Sequence, residues 1–211
     1  MVKVVPFFND CVTSSSCNSY LIIDDDNNAV VIDPSISNYI IPDYIWRNNI
    51  TLKAILLTHG HFDHIGGVEI ISKTFNCKTY IFYYDDEMFF DPVLNCSDEM
   101  RRNPVYVNCD YVRLGENDYF DKGELLNEKI DVIWTPFHTA GSVCYYFKES
   151  KILFSGDTLF KDGIGRTDLP TGDRNSIKPS LAKLFKLDDD VIVYPGHGEK
   201  TTIGRERHYY E

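Results

Sequence analysis

Long apolar runs are missing from this 211-residue chain. No stretch approaches the ~18 apolar residues that a membrane-spanning helix needs. The start, Met1-Val2-Lys3-Val4-Val5-Pro6-Phe7-Phe8-Asn9-Asp10, lacks the charged segment and long apolar core of a secretory signal. Together these absences predict a cytoplasmic protein. Positive charge is also scarce: 21 Lys and Arg stand against 32 Asp and Glu, a formal net charge of −11. With no Lys/Arg stripe, nucleic acid and anionic membrane are poor partners. The six cysteines, Cys11, Cys17, Cys77, Cys96, Cys109 and Cys144, contain no C-x-x-C pair. In a long cytoplasmic chain they read as reduced thiols, mostly in the core. Cys144, close after His138, is the one candidate for a catalytic thiol.

What is present is ordinary globular material, 43% hydrophobic and 25% charged. Low-complexity linkers and internal repeats are lacking, so residues 1–211 read as one domain. Strands are expected at 2–8, 19–23 and 29–33, the latter two forming a hairpin around the acidic turn Asp24-Asp25-Asp26-Asn27-Asn28. Asp33-Pro34 breaks the third. A helix with Ile40, Ile41, Tyr44 and Ile45 on one face fits residues 37–49. A strand at 53–57, a helix at about 66–76 and a strand at 78–83 then make a βαβ-like unit. Residues 84–109 mix acids, aromatics and Asn, and suggest a short helix and a surface loop overhanging a site. Short strands follow at 110–114, 124–126, 130–135, 143–148 and 151–155. A helix at 175–186 and a strand at 191–194 close the pattern. The fold class is α/β (α+β), with two sheets inside and helices outside.

The stretch Thr58-His59-Gly60-His61-Phe62-Asp63-His64 puts three imidazoles and a carboxylate in six residues, straight after the apolar run Ala54-Ile55-Leu56-Leu57. Such a mixture suits zinc, iron or manganese. The same grammar recurs: an apolar strand, a Gly or Pro break, then a metal-type donor. His138 follows Val132-Ile133-Trp134-Thr135-Pro136-Phe137, Asp157 follows Ile152-Leu153-Phe154-Ser155-Gly156, and His197 follows Val191-Ile192-Val193-Tyr194-Pro195-Gly196. Alone, each of these is more simply a structural histidine or a turn acid. Chance rarely ends four strands this way. His208, among Arg205, Glu206, Arg207 and Tyr209, reads as solvated.

Seven donors exceed the four of one tetrahedral zinc. They suit two adjacent divalent cations: His59, His61 and His138 on one, Asp63, His64 and His197 on the other, and Asp157 between them. Such a centre lowers the pKa of a bound water from ~15.7 toward ~7 and makes hydroxide at neutral pH. Asp63 and Asp157 are the candidate catalytic carboxylates. The chemistry predicted is hydrolysis of an activated carbonyl or a phosphoester.

With these positions in view, the chain resembles the metallo-β-lactamase superfamily. The motif T-H-x-H-x-D-H stands at Thr58 to His64, and later motifs match at Thr135-Pro136-Phe137-His138-Thr139, Ser155-Gly156-Asp157-Thr158 and Tyr194-Pro195-Gly196-His197-Gly198. The resemblance implies a four-layer αββα sandwich with its metals at one edge. Two further stretches, Gly163-Ile164-Gly165-Arg166-Thr167-Asp168-Leu169-Pro170 and Gly196 through Glu206, look like the glyoxalase II branch in its short form. That branch implies two divalent ions, zinc first with iron or manganese as alternatives. It also implies a hydroxyacyl thioester of glutathione, such as S-lactoylglutathione, as a small-molecule substrate attacked by a metal-bridging hydroxide.

Two departures stand out. Phe137 occupies the usual Gly position, where it would crowd the site or form its wall. Only 14 residues follow His197, so the C-terminal helical domain of longer glyoxalase II enzymes, with its cations for the glutathione carboxylates, has no room. Lys161, Arg166, Lys200 and Arg205 are the local substitutes. Arg166 and Asp168 read as a buried pair that fixes the loop beside Asp157. Persulfide dioxygenases, which resemble this branch and carry the same Gly-Arg-Thr-Asp stretch, make a mononuclear iron enzyme of sulfur metabolism the main alternative. A different hydrolase of this fold and a metal-stabilised binding module without turnover complete the alternatives. RNA-processing branches share the first motif, but the acidic charge opposes an RNA partner.

Overall fold

The computed structural model describes residues 1–8, 17–35, 39–100 and 103–210. Six strands come first: β1 (Lys3–Phe7), β2 (Ser19–Ile23), β3 (Asn28–Ile32), β4 (Thr51–Leu56), β5 (Lys78–Phe82) and β6 (Tyr111–Leu114). They form one sheet in that order, antiparallel from β1 to β3 and parallel from β3 to β6. Then come β7 (Tyr119–Phe120), β8 (Ile130–Trp134), β9 (Val143–Phe147), β10 (Ile152–Gly156), the short hairpin β11 (Leu159–Phe160) and β12 (Gly163–Ile164), β13 (Ile192–Pro195) and β14 (Thr201–Thr202). The second sheet has the order β14-β13-β10-β9-β8-β7. Helices are α1 (Ile40–Arg47), α2 (Phe62–Ile65), α3 (Val68–Phe75), α4 (Ser97–Met100), α5 (Ile177–Leu184) and α6 (Ile203–Tyr210). None of the described helices is long and apolar enough to cross a membrane.

Strand alternation explains the layers, since successive side chains point to opposite faces. Tyr20, Ile22, Val30, Ile32 and Leu56 face inward and meet Ile130, Tyr145, Phe147 and Phe154 of the other sheet. Their neighbours Leu21, Ile23, Val31 and Ile55 face outward, under Ile41 and Ile45 of α1 and Val68 and Ile71 of α3. On the far side, Cys144, Tyr146, Leu153 and Val193 lie under Leu181 and Leu184 of α5 and Ile203 of α6. Both sheets are thus covered on both faces, which is the expected αββα sandwich.

Most expected elements are present, with four instructive differences. The helix expected at about 66–76 is α3, and a short unexpected helix, α2, precedes it, the two parted by Gly66-Gly67. A Cβ on Gly66 would lie 2.7 Å from the Ser35 carbonyl oxygen, and the Gly67 amide donates to the Pro34 carbonyl at 2.7 Å. The strand expected at 124–126 is a turn. Gly123 has φ +91°, its amide donates to the Leu126 carbonyl at 2.8 Å, and Leu125 and Leu126 reach the core from that turn. The strand that pairs with β8 there is β7. The expected helix at 37–49 is α1; residues 37 and 38 lie outside the described residues, as does Cys11. Finally, α6 has no strong apolar stripe. Buried Glu206 anchors it, accepting from the Thr201 hydroxyl at 2.5 Å and the Asp162 amide at 3.0 Å.

The topology sends many strand ends to one edge. β3, β4 and β5 are parallel, so their C-terminal ends lie together; β8 and β10 are both antiparallel to β9, and β13 is parallel to β10. At this edge the sheets are joined directly. The Val143 amide donates to the Thr58 carbonyl at 2.8 Å. The buried Tyr145 hydroxyl crosses to the Leu57 carbonyl at 2.8 Å, and Tyr20 crosses the other way to the Pro195 carbonyl at 2.7 Å. A Tyr145→Phe change removes one such bond and strands a buried carbonyl. It should cost about 1–3 kcal/mol, seen as a lower urea midpoint at unchanged slope.

Candidate metal centre

Each donor sits just past a strand end. β4 delivers Thr58, His59 and Gly60; His61 is extended (φ −65°, ψ 147°) and leads into α2, whose first turn carries Asp63 and His64. The Phe62 amide that opens α2 donates to the Asn95 carbonyl at 2.9 Å, which ties Asn95 to the loop. β8 delivers His138 and β10 delivers Asp157, from Gly156 at φ +48°. A Cβ at Gly156 would overlap the Thr58 side chain, so the glycine serves both the turn and the close approach. β13 delivers His197 beyond Gly196, whose missing Cβ leaves room for the Asp157 carboxylate and the His64 ring.

The seven donors meet. Among the described residues, His59, His61 and His138 offer atoms within 4.8 Å of one another, and so do Asp63, His64 and His197, and likewise His59, His64 and Asp157. His61 Nδ1 lies 3.0 Å from both His59 Nε2 and His138 Nε2. Asp157 faces both triads: Oδ2 is 3.4 Å from His138 Nε2 and 3.5 Å from His197 Nε2, and Oδ1 is 3.4 Å from His64 Nε2. Asp63 Oδ2 is 3.3 Å from His197 Nε2. Five of the donors, His61, Asp63, His138, Asp157 and His197, line a cavity of about 380 Å³, whose wall includes Phe62, Phe160, Ile164 and Leu169; His59 and His64 lie beneath it.

Electrostatics fit a cation. Burial, then the neighbouring imidazoles, hold His59 well below the usual histidine range. Burial and His138 push His61 down to about 3. Both are therefore neutral at pH 7, with ring lone pairs to give. Burial opposes charge on Asp157, but His64, His138 and His197 outweigh it and keep that carboxyl low; His64 and His197 do the same for Asp63. Burial also opposes charge on His64, and Cys17, Asp33, Asp63 and Asp157 together raise it well above the usual range. Three buried atoms, His61 Nε2, His64 Nε2 and Asp157 Oδ1, have no hydrogen-bond partner. Buried polar atoms are rarely left so. Orphaned donors that converge with ionised carboxylates form a His/Asp cluster suited to divalent metal.

The comparisons with known proteins agree with this geometry. The family model of the metallo-β-lactamase superfamily matches residues 12–197. The chain belongs to that superfamily. It is 33% identical over 210 residues, 98% of this chain and 94% of the other, to a hydroxyacylglutathione hydrolase, GloC, of Haemophilus influenzae (strain Rd). It is similar to the crystal structure of the BLEG-1 B3 metallo-β-lactamase, with TM-score 0.88 and 36% identity over 99% of this chain and 97% of that one. It is also similar to TTHA1623 in a di-iron-bound form, with TM-score 0.82 and 28% identity over 95% of this chain and 97% of that one. A metallo-hydrolase of this superfamily, with glyoxalase II relatives, is what these likenesses support.

Other superfamily-derived expectations fare differently. Of the four candidate cations, Arg166 lines the cavity. Its pair with Asp168 (2.6 and 2.7 Å) is exposed at the rim, not buried as expected. The reason is local: the Arg166 carbonyl turns inward to His138 Nδ1 at 2.8 Å, so its side chain turns out. Lys161 pairs with Glu199, and Arg205 pairs with Asp162 at 2.8 Å; neither lines the cavity. Lys200 lies on a separate depression beside Tyr20 and Tyr194. Phe137 is fully buried and is not part of the cavity wall. Cys144 is a core thiol, donating to the Ser155 carbonyl, and burial pushes it up to about 11. No thiolate nucleophile forms there at neutral pH. Cys96, in contrast, lines the cavity. His208 is exposed, as expected.

Two buried acids had escaped the sequence reading. Asp33, read there only as a strand break, has φ +47°, and its carboxylate accepts the Thr58 amide at 2.8 Å and hydroxyl at 2.6 Å and meets His64 Nδ1 at 2.9 Å. Asp85, beyond β5, accepts the Gly60 amide at 3.0 Å, the Thr139 hydroxyl at 2.6 Å and the Gly141 amide at 2.7 Å. Each follows a strand end, as the donors do; that pattern was the available clue.

Two outcomes follow. Asp33→Asn should weaken metal binding about 10–100-fold, read by competition with a chromophoric chelator, because His64 loses its orienting acceptor. Cys144→Ala should keep its turnover, since the thiol is remote from the chemistry; a steady-state assay decides.

Proposed function

We propose that this protein hydrolyses a hydroxyacyl thioester of the S-lactoylglutathione type, using two divalent cations, zinc first among the candidates. The observation that carries the reading is Asp157, whose two oxygens face both donor triads at once. His59, His61 and His138 would hold one cation, Asp63, His64 and His197 the other, and Asp157 would serve both. When bound, such a pair supplies an acidified water and a Lewis acid for the carbonyl. The 33%-identical hydroxyacylglutathione hydrolase supports the choice of substrate class.

The chain's own groups then divide the work. Asp63 and Asp157, ionised at neutral pH, are the acceptors at hand for the proton of an attacking water. A thiolate leaving group, of pKa about 8.5, needs no strong acid to depart. Phe62, Phe160, Ile164 and Leu169 exclude water from the acyl group and pack against it. Arg166 at the rim would meet a carboxylate of the thiol half, exchanging Asp168 for it. The acidic surface and the small cavity fit a small-molecule substrate in the cytoplasm, with neither nucleic acid nor membrane as partner.

Loading the apoprotein with zinc, iron or manganese, counting metal per chain, and assaying a thioester panel tests the reading. Two equivalents and hydrolysis of S-lactoylglutathione are expected, with loss of at least about 100-fold in kcat/KM for Asp157→Ala. A chain that holds two cations yet leaves every thioester intact defeats the proposal. One iron per chain with oxygen uptake on glutathione persulfide transfers the protein to the dioxygenase class, and opening of a β-lactam ring alone transfers it to another hydrolase class.

A further inference from the structure

The two buried acids behind the donor cluster serve different halves of it. Asp33 binds His64 directly, binds Thr58, whose hydroxyl also lies 3.2 Å from His59 Nδ1, and binds nothing of the His138 loop. Asp85 is fully buried and reaches both loops. Its Oδ2 accepts the amide of Gly60, the residue between His59 and His61, and the hydroxyl of Thr139, the residue after His138. Its Oδ1 accepts the Gly141 amide. One carboxylate therefore ties together the two loops that carry His59, His61 and His138. These loops come from opposite sheets, one from β4 and one from β8.

The approach is close on both sides. A Cβ at Gly141 would lie 2.5 Å from the Asp85 carboxyl carbon, and a Cβ at Gly60 would lie 2.7 Å from Met88 Cβ and Sδ. Neither loop can take a larger residue without pushing away from Asp85. Three donors from two loops leave the carboxylate little freedom, so its position sets the gap between the imidazoles on either side. Charge-assisted bonds of this kind are short and directional. His64 and His197 make no hydrogen bond to Asp85; His64 is oriented by Asp33, and His197 meets Asp63.

We infer that Asp85 is a positioning residue for the first triad alone, His59, His61 and His138, whereas Asp33 acts chiefly on the second, through His64. The inference rests on the two-cation reading above. It predicts that the two positions can be weakened separately by changes that touch no donor.

Asp85→Asn keeps the volume but turns one acceptor into an amide facing an N–H or O–H donor. Apoprotein of wild type, Asp85→Asn and Asp33→Asn is titrated with cobalt(II). Uptake is followed by visible absorption, and the shifted imidazole N–H resonances in the paramagnetic proton NMR spectrum identify the occupied triad. Wild type should take two equivalents. Asp85→Asn should bind one equivalent normally and the other about 10–100-fold more weakly, with the resonances of the three-histidine triad lost first. Asp33→Asn should show the opposite order. Far-ultraviolet circular dichroism checks that each variant is folded. Should Asp85→Asn fail to fold, Thr139→Val removes one of the three donors and should weaken the same equivalent in the same order. Wild type with two equivalents, but variants that lose both equally or neither, overturns the positioning role and leaves the two-cation reading intact. Wild type that takes fewer than two equivalents overturns the two-cation reading itself, and the division of acids with it.

Discussion

The lone pairs of neutral His59 and His61 and the ionised carboxylates of Asp63 and Asp157, buried side by side, are left unsatisfied unless positive charge is shared among them. Burial strips water from His59, His61, His64 and Asp157. The remaining partners cannot complete their valence, as the orphaned nitrogens and oxygen show. Several kcal/mol of desolvation per ionised group would be wasted in such a pocket. The fold tolerates the arrangement because divalent charge is the intended complement. Other features at this edge, from the glycines to the buried acids, keep the donors from relaxing into one another.

Glycine and acid act together in that restraint. Gly60, Gly141, Gly156 and Gly196 let backbone and side chains approach more closely than any Cβ would permit. Asp33 and Asp85 then fasten the approach with hydrogen bonds to amides and hydroxyls. Asp33 does so at positive φ, a backbone cost of about 1–3 kcal/mol that its three contacts offset. The Thr135 and Thr158 hydroxyls, 2.8 Å apart, tie the end of β8 to the end of β10 in the same manner. The strained Asp33 backbone sits directly behind the donors, and the sandwich beneath supplies the stability.

The donors were legible because each obeys one rule: apolar strand, breaker, ligand-type residue. The layers were legible from strands buried on both faces. What stayed hidden did so for physical reasons. Asp85 lies in a stretch where acids and aromatics follow no period, so only its place after a strand end hinted at the inward turn. Asp33 looked like punctuation before Pro34, because a strand-ending acid is usually just that. Leu125 and Leu126 mimic a strand while packing from a glycine turn, and α6 is held by one buried glutamate instead of an apolar stripe. The Arg166–Asp168 pair is only two residues apart, but which way it faces depends on a carbonyl contact 28 residues away, to His138.

The donor set is split between the sheets. His59, His61, Asp63 and His64 belong to loops of the first, and His138, Asp157 and His197 to loops of the second. An ion held by both acts as a reversible cross-link, worth more the tighter it binds. The edge that carries the donors is then also a seam between the sheets, so the metal-free chain would be the looser form of the same fold.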